Sequence, residues 1–335
     1  MKKACLVVDP PYLDNRIFLK DNNPLNRDNC LAFFHQLQDM LAVQGIVLAT
    51  QDIHDETVSD FVFYNDIPKQ LRKIDGKSVL FLWESDVIKP WNWDIDRHKP
   101  FDLIFTWNDE FVDNKRYFKF NFTHGSNFPF KTFVNKSKFA CIISGNKSVT
   151  HPLELYSERE RVIRWFEANK SSDFDLFGVG WGLKTFNGIL RPFNRIPIMR
   201  RVFSEKWPSY RGPVQDKLRT LSDYKFSICF ENAKNIPGYI TEKLFDVMAA
   251  GTIPIYWGAP NIEYYVPKEC FIDFTQFRSM DQLYDYLIKM DDVTYSKIQD
   301  EISIFLSSRQ HDQFLPGPVA GSVVNVLTWY MDSNK

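Results

Sequence analysis

A mostly parallel α/β protein in two domains is what this sequence predicts, on three observations. Short, buried-looking strands alternate with helix-like stretches along most of the chain, the rhythm that produces parallel sheets. At 335 residues the chain exceeds a typical single core, so two domains are expected. Tyr224 to Trp257 reads as strand, loop, helix, strand, a complete βαβ unit with the polar pair Glu231–Asn232 at the end of its first strand.

Taken in order, Ala4 to Asp9 reads as the first strand. Asp28 to Gln44 places Leu31, Phe34, Leu37, Gln38 and Leu41 near helical period, with Gly45 as its stop. Ile46 to Thr50, Phe61 to Tyr64, Val79 to Trp83 and Leu103 to Thr106 are strand candidates, with a shorter one in Tyr117 to Phe122. Ser126 to Lys138, containing Pro129, reads as a loop, and the domain boundary falls near residues 125–138. A second alternation follows: Lys138 to Ser144 as strand, Leu153 to Ala168 as helix, Phe174 to Val179 as strand, Gly212 to Ser222 as a short helix. Asn187 to Ser209 breaks the rhythm. Its arginines (Arg191, Arg195, Arg200, Arg201) are interrupted by Pro192 and Pro197, its apolar residues are few, and a solvated loop is the expectation. Residues 279–333 are helical in pattern, interrupted near Pro316-Gly317-Pro318.

Composition excludes several classes. Hydrophobic residues make up 44% and charged residues 25%, as in an ordinary globular protein. Net charge is −1, which leaves no electrostatic footprint for nucleic acid. The five cysteines are widely spaced and form no CxxC; Cys5, Cys141 and Cys229 lie in apolar runs, so buried free thiols in a reducing compartment are expected. Two lysines precede an apolar run too short for a signal peptide or a membrane span, and no apolar segment of about 18 residues occurs elsewhere. Asn121, Asn135 and Asn146 match the glycosylation pattern, which carries no meaning in a cytosolic protein.

In the helix expected from Tyr239 to Ala250, Tyr239, Glu242, Lys243 and Asp246 fall at i, i+3, i+4 and i+7 and share a face. That face sits beyond a carboxyl strand end, where open α/β sheets bind ligands and helix N-termini attract phosphate. Lys243 in the first turn opposes the helix macrodipole; a bound anion would resolve the conflict, and an exposed Glu–Lys pair accounts for the spacing equally well.

Phe230-Glu231-Asn232, then Tyr239-Ile240-Thr241-Glu242-Lys243-Leu244, then Ile253-Pro254-Ile255-Tyr256-Trp257-Gly258 closely resemble the signature of the α1,3/4-fucosyltransferases, inverting enzymes that use GDP-fucose. The resemblance implies the GT-B architecture, two Rossmann-like domains facing a central cleft. Residues 1–130 would be the acceptor domain, 138–320 the GDP-sugar domain, and 321–335 a helix packing back on the first domain. Animal members of the family carry an N-terminal anchor, so this chain resembles a bacterial-type member, cytoplasmic or peripheral to the inner face of the membrane.

Inverting transfer needs one carboxylate to take the acceptor's proton, and positive charge to stabilise the departing diphosphate. Trp83-Glu84-Ser85, followed by Pro90 and Trp91, looks like the family's segment bearing the catalytic Glu. By itself, Glu84 also reads as a strand-end or helix-capping carboxylate in water. Lys243 is the first candidate phosphate ligand. Arg161 is the second, because its helix resembles the family's donor-binding helix, with Arg159 and Arg164 close enough for the register to slip. Glu242 suits ribose or fucose hydroxyls, Tyr239 a phosphate or sugar, and Asn232 the fucose or a local turn. Glu231 would orient the loop.

Asp94-Ile-Asp96 and Asp173-Phe-Asp175 have the Asp-x-Asp form of metal-dependent glycosyltransferases, but so short a form in an Asp-rich chain is better explained by chance. No zinc spacing occurs. No metal and no cofactor beyond the GDP-fucose donor is therefore expected. Gly178-Val-Gly180-Trp-Gly182 lacks the third glycine of a dinucleotide turn, since position 183 is Leu. The partners implied are GDP-fucose and an oligosaccharide or glycoconjugate acceptor, offering the 3-OH of GlcNAc or Glc. A transferase for another GDP-sugar and a catalytically silent glycan-binding module on the same fold are the alternatives.

Overall fold

The computed structural model describes residues 1–333 except 22, 126–135, 183, 185, 187 and 204. The loop expected over 126–138 lies mostly outside these residues, as do Asn135 and Leu183. Among the described residues, every strand pairing is parallel. The first sheet takes β1 (Lys2–Val7), β2 (Ile46–Thr50), β3 (Phe61–Asn65), β4 (Lys77–Leu82), β5 (Leu103–Thr106) and β6 (Tyr117–Lys119) in the order β2-β1-β3-β4-β5-β6. The second takes β7 (Lys138–Ile143), β8 (Phe174–Phe177), β9 (Tyr224–Phe230), β10 (Ile253–Trp257) and β11 (Ile272–Asp273) in the order β11-β10-β9-β7-β8. Helices cover both sheets, so the central strands are near-continuous apolar runs; Val79 to Leu82 are all fully buried.

The helices are α1 (Ala32–Val43), α2 (Tyr156–Asn169), α3 (Pro197–Val202), α4 (Lys217–Leu221), α5 (Glu242–Ala249), α6 (Met280–Lys289), α7 (Asp292–Leu306) and α8 (Pro316–Ser333). Helix α1 starts later than its periodicity suggests, because Asp28 and Asn29 hold φ of 54° and 57°, in the left-handed region. Pro316 opens α8 rather than interrupting a helix: the first helical position tolerates a residue without an N–H. Val319, Ala320, Val323, Val324 and Leu327 form a stripe on α8 that joins the core of the first domain beside Leu37 and Leu41 of α1. The Tyr330 hydroxyl donates to Asp102 at 3.0 Å.

Polar contacts join the two halves beside this returning helix. The Asp109 carboxylate accepts from Asn261 Nδ2 at 2.7 Å, from the Tyr265 hydroxyl at 2.5 Å and from Lys119 Nζ at 2.6 Å. Gly238, at φ 80°, lies so close to the first domain that a Cβ would stand 2.2 Å from the Trp107 carbonyl oxygen, so only glycine fits. His124 and His311 meet across the interface at 2.8 Å between their Nε2 atoms, and burial pushes His124 down to about 3 and His311 down to about 4.

Both Asp-x-Asp pairs have structural partners. Asp173 accepts from the Tyr284 hydroxyl at 2.6 Å, Asp175 from the Tyr224 hydroxyl and Arg211 Nε at 2.6 Å each, and Asp94 caps a short turn through the Asp96 N–H. All five cysteines are free; four are buried and Cys30 is exposed. No helix among the described residues is long and apolar enough to cross a membrane. The excursion after β8 departs from the solvated loop expected of it: it folds into a 3-10 turn (Gly188–Arg195) and α3, with its apolar side chains outward.

Candidate active site

In the second sheet the chain passes from β7 to β8 on one side and then returns to β9 on the other. Strands diverge at such a switch point, and a crevice opens at their carboxyl ends. A cavity of about 270 Å³ occupies it, reached by the loop Ser144–Lys147 after β7, by α2, by the end of β9 and by the first turns of α5. Its charged lining consists of Lys147, Arg159, Lys217 and Lys243 against Glu242 and Asp246. Four cations face two carboxylates, a net excess that an anionic ligand complements.

Glu231, fully buried at the end of β9, organises the mouth of α5. Its carboxylate accepts from the Thr241 N–H and hydroxyl, both at 2.7 Å, and from Lys243 Nζ at 3.2 Å. A carboxylate from ten residues upstream thus fills the capping position at this helix start. The placement of Lys243 in the first turn follows from it: burial alone would push the ammonium down, but Glu231 and Glu242 more than offset that and raise it. The protein therefore supplies part of the anion that the dipole conflict called for. Glu242 is held below its ordinary range: burial would raise it, and Lys243 and Lys217 outweigh that. Lys217 in turn meets Asp246 at 2.5 Å.

Two expected site residues lie elsewhere. Arg161 is exposed on the outer face of α2 and pairs with Glu158 at 2.6 Å. Arg159, two residues earlier, shares the buried face with Val162, Ile163 and Phe166 and enters the cavity. Its Nη2 donates to the Phe230 carbonyl at 2.6 Å and to Asn232 Oδ1 at 3.1 Å, and its guanidinium lies 4.9 Å over the Tyr156 ring. Asn232 lines the cavity through this same contact. Tyr239 does not share the helix face: α5 begins only at Glu242, and Tyr239 is buried between the domains, 4.6 Å from Trp107 by ring centroids. It is absent from the cavity wall.

Glu84 leaves the carboxyl end of β4 in the first domain. Asp66, at φ 61° after β3, shapes the turn: its Oδ1 accepts from the N–H of Trp83 at 2.7 Å and of Glu84 at 3.2 Å and from Asn92 Nδ2 at 2.7 Å. Burial raises the Glu84 carboxyl, and Asp66 raises it further. Lys147 and Lys243 of the second domain, with Lys89, draw it back, so the carboxylate lies within electrostatic reach of the cavity's cations. Asp66, Lys147 and Lys217 are the residues that sequence reasoning did not place in the site, and Arg159 entered it only as a neighbour of Arg161. The available signal was positional: Asp66 and Lys147 both follow carboxyl strand ends.

Two parallel α/β domains with a crevice at the carboxyl strand ends of the second make up the GT-B architecture. Residues 153–298 match the family model described as Glycosyltransferase family 10 (fucosyltransferase) C-term, in line with the resemblance at Phe230–Asn232 and Tyr239–Leu244. Over 74 residues the chain is 40% identical to the alpha-(1,3)-fucosyltransferase FucT of Helicobacter pylori, covering 22% of this chain and 15% of that one. Over 265 residues it is 26% identical to 4-galactosyl-N-acetylglucosaminide 3-alpha-L-fucosyltransferase 9 of Bos taurus, covering 76% and 62%. The chain thus spans less than two thirds of the length of these relatives. The crystal structure of an alpha1,3-fucosyltransferase with GDP-fucose superposes with a TM-score of 0.57 at 18% identity, over 97% of this chain and 90% of that one. Anabaena Alr3699/HepE in complex with UDP and glucose gives 0.55 at 9%, over 98% and 100%. These likenesses concern the fold.

Proposed function

We propose that the protein transfers L-fucose from GDP-fucose to an acceptor hydroxyl with inversion, the acceptor being the 3-OH of a GlcNAc or Glc unit. The observation that carries this reading is the four-cation cavity at the β7/β9 switch point, of whose cations Arg159, Lys217 and Lys243 fall within the stretch that matches the fucosyltransferase family model. The acceptor oxygen attacks the anomeric carbon as its proton passes to Glu84. The bond from that carbon to the diphosphate breaks, and the electron pair leaves on the β-phosphate. Lys243, Arg159 and Lys147 stabilise the charge that develops there, the guanidinium fork of Arg159 suiting bidentate contact with phosphate. Glu242 and Asn232 orient the sugar. Tyr239 acts from outside the cavity, by holding the domains at the distance the transfer needs.

The same cations do the work of a metal at the leaving group, so turnover without added divalent ion is the expectation. The test offers lactose- and LacNAc-type acceptors with GDP-fucose or GDP-mannose, in EDTA. Transfer from GDP-fucose alone, undiminished by EDTA, is the expected result. Preference for GDP-mannose would reassign the donor, and loss of turnover restored by Mn²⁺ would overturn the metal-free mechanism.

A further inference from the structure

The excursion that leaves the carboxyl end of β8 carries a surface the transfer reaction does not use. From Lys184 to Phe203 the sequence holds five cations (Lys184, Arg191, Arg195, Arg200 and Arg201) and no Asp or Glu, in a chain whose net charge is −1. The stretch is built as a lobe. Asn194 exchanges both amide hydrogen bonds with the Phe186 backbone, each at 2.8 Å, and the Lys184 N–H donates to the Arg200 carbonyl at 2.7 Å. Phe186 meets the Phe193 and Phe203 rings. Glu205 fastens the base, pairing with Lys184 and with Arg164 of α2 at 2.8 Å each.

This lobe turns apolar side chains to solvent. Ile189 is 97% exposed, Ile198 65% and Val202 68%, and Leu190 and Ile196 are exposed beside them. A folded surface with so much apolar area uncovered marks an interaction site. The charge pattern selects the occupant: exposed apolar side chains in a stretch whose charged residues are all cations match the headgroup region of an anionic bilayer, where apolar chains enter the acyl boundary and guanidiniums meet phosphates. A nucleic acid would satisfy the cations but leave Ile189 and Ile198 uncovered. We propose that residues 188–203 dock the protein on an anionic lipid surface. The lobe springs from the turn at Val179, whose carbonyl accepts from the Asn146 N–H at 2.9 Å, and Gly145 and Lys147 of that loop line the cavity. Docking therefore sets the cleft beside the surface. The inference is independent of the donor assignment, because vesicle binding is read without turnover.

The experiment is co-sedimentation of the full chain with phosphatidylcholine vesicles and with vesicles containing about 30% phosphatidylglycerol, at low and high salt. Binding about tenfold tighter or more to the anionic vesicles, weakened by salt, is expected. I189E/I198E should abolish it and R195E reduce it about tenfold, all with unchanged melting curves and unchanged activity on a soluble acceptor. Binding to neither vesicle, equal binding to both, or undiminished binding by I189E/I198E would overturn the proposal. So would self-association of the wild type that I189E/I198E removes in the absence of vesicle binding, which would assign the lobe to contact between copies.

Discussion

Glu84→Gln is expected to lower turnover about 10²- to 10⁴-fold while leaving GDP-fucose affinity close to that of the wild type. The amide keeps the shape of the side chain and cannot take a proton. Stability should move the other way. The folded state holds the Glu84 carboxyl above its ordinary range, so it binds the proton more tightly folded than unfolded. The stabilisation from the protonated form is complete below the unfolded pKa and is lost as pH rises through the folded one. At neutral pH an ionised Glu84 therefore costs stability, and Glu84→Gln should melt at or above the wild-type temperature. The same ionisation should appear in the wild type as an acidic limb in kcat/KM, set by the raised carboxyl. Calorimetric titration with GDP-fucose, a melting curve and initial rates check all three. Near-normal turnover would remove Glu84 from the chemistry, and a large drop in melting temperature would make it a structural residue instead.

Arg159→Met is expected to cost about 10²- to 10³-fold in kcat/KM, the scale for removing a donor aimed at developing charge. It should also cost about 1–3 kcal/mol in stability, because the Phe230 carbonyl and Asn232 Oδ1 lose their buried partner. Arg161→Met should change stability by no more than about 0.5 kcal/mol and leave activity intact, since it breaks one exposed ion pair. GDP affinity separates a ligand from a merely structural residue: it should fall in Arg159→Met and hold in Arg161→Met. The reverse pattern would return the diphosphate to Arg161.

These two arginines mark the limit of what the sequence made legible. The sheets were readable because strands buried on both faces become long apolar runs, and β2, β5, β9 and β10 begin and end where those runs do. The placement of the α2 helix was readable too, but successive arginines two residues apart point about 200° apart around a helix, so a slip of two positions exchanges the cavity for solvent. Tyr239 was misplaced for a different reason. The i, i+3, i+4, i+7 pattern runs on through the loop, and α5 starts only where the buried Glu231 carboxylate captures Thr241, a contact no local pattern contains. Lys147 reaches the cavity only because β7 and β9 are neighbours in the sheet. In residues 187–203 the prolines break any helical period, so nothing in the spacing indicated that the apolar side chains share an outward surface.

The central claim is that the β7/β9 cavity delivers fucose from GDP-fucose across the cleft to a hydroxyl served by Glu84. Proton NMR of the wild-type reaction with GDP-β-L-fucose and a LacNAc acceptor tests it most directly. The expected result is GDP release matched by an α-linked fucose on the 3-OH of GlcNAc. A β-linked product, or GDP-fucose cleavage with no fucosylated acceptor, would contradict it.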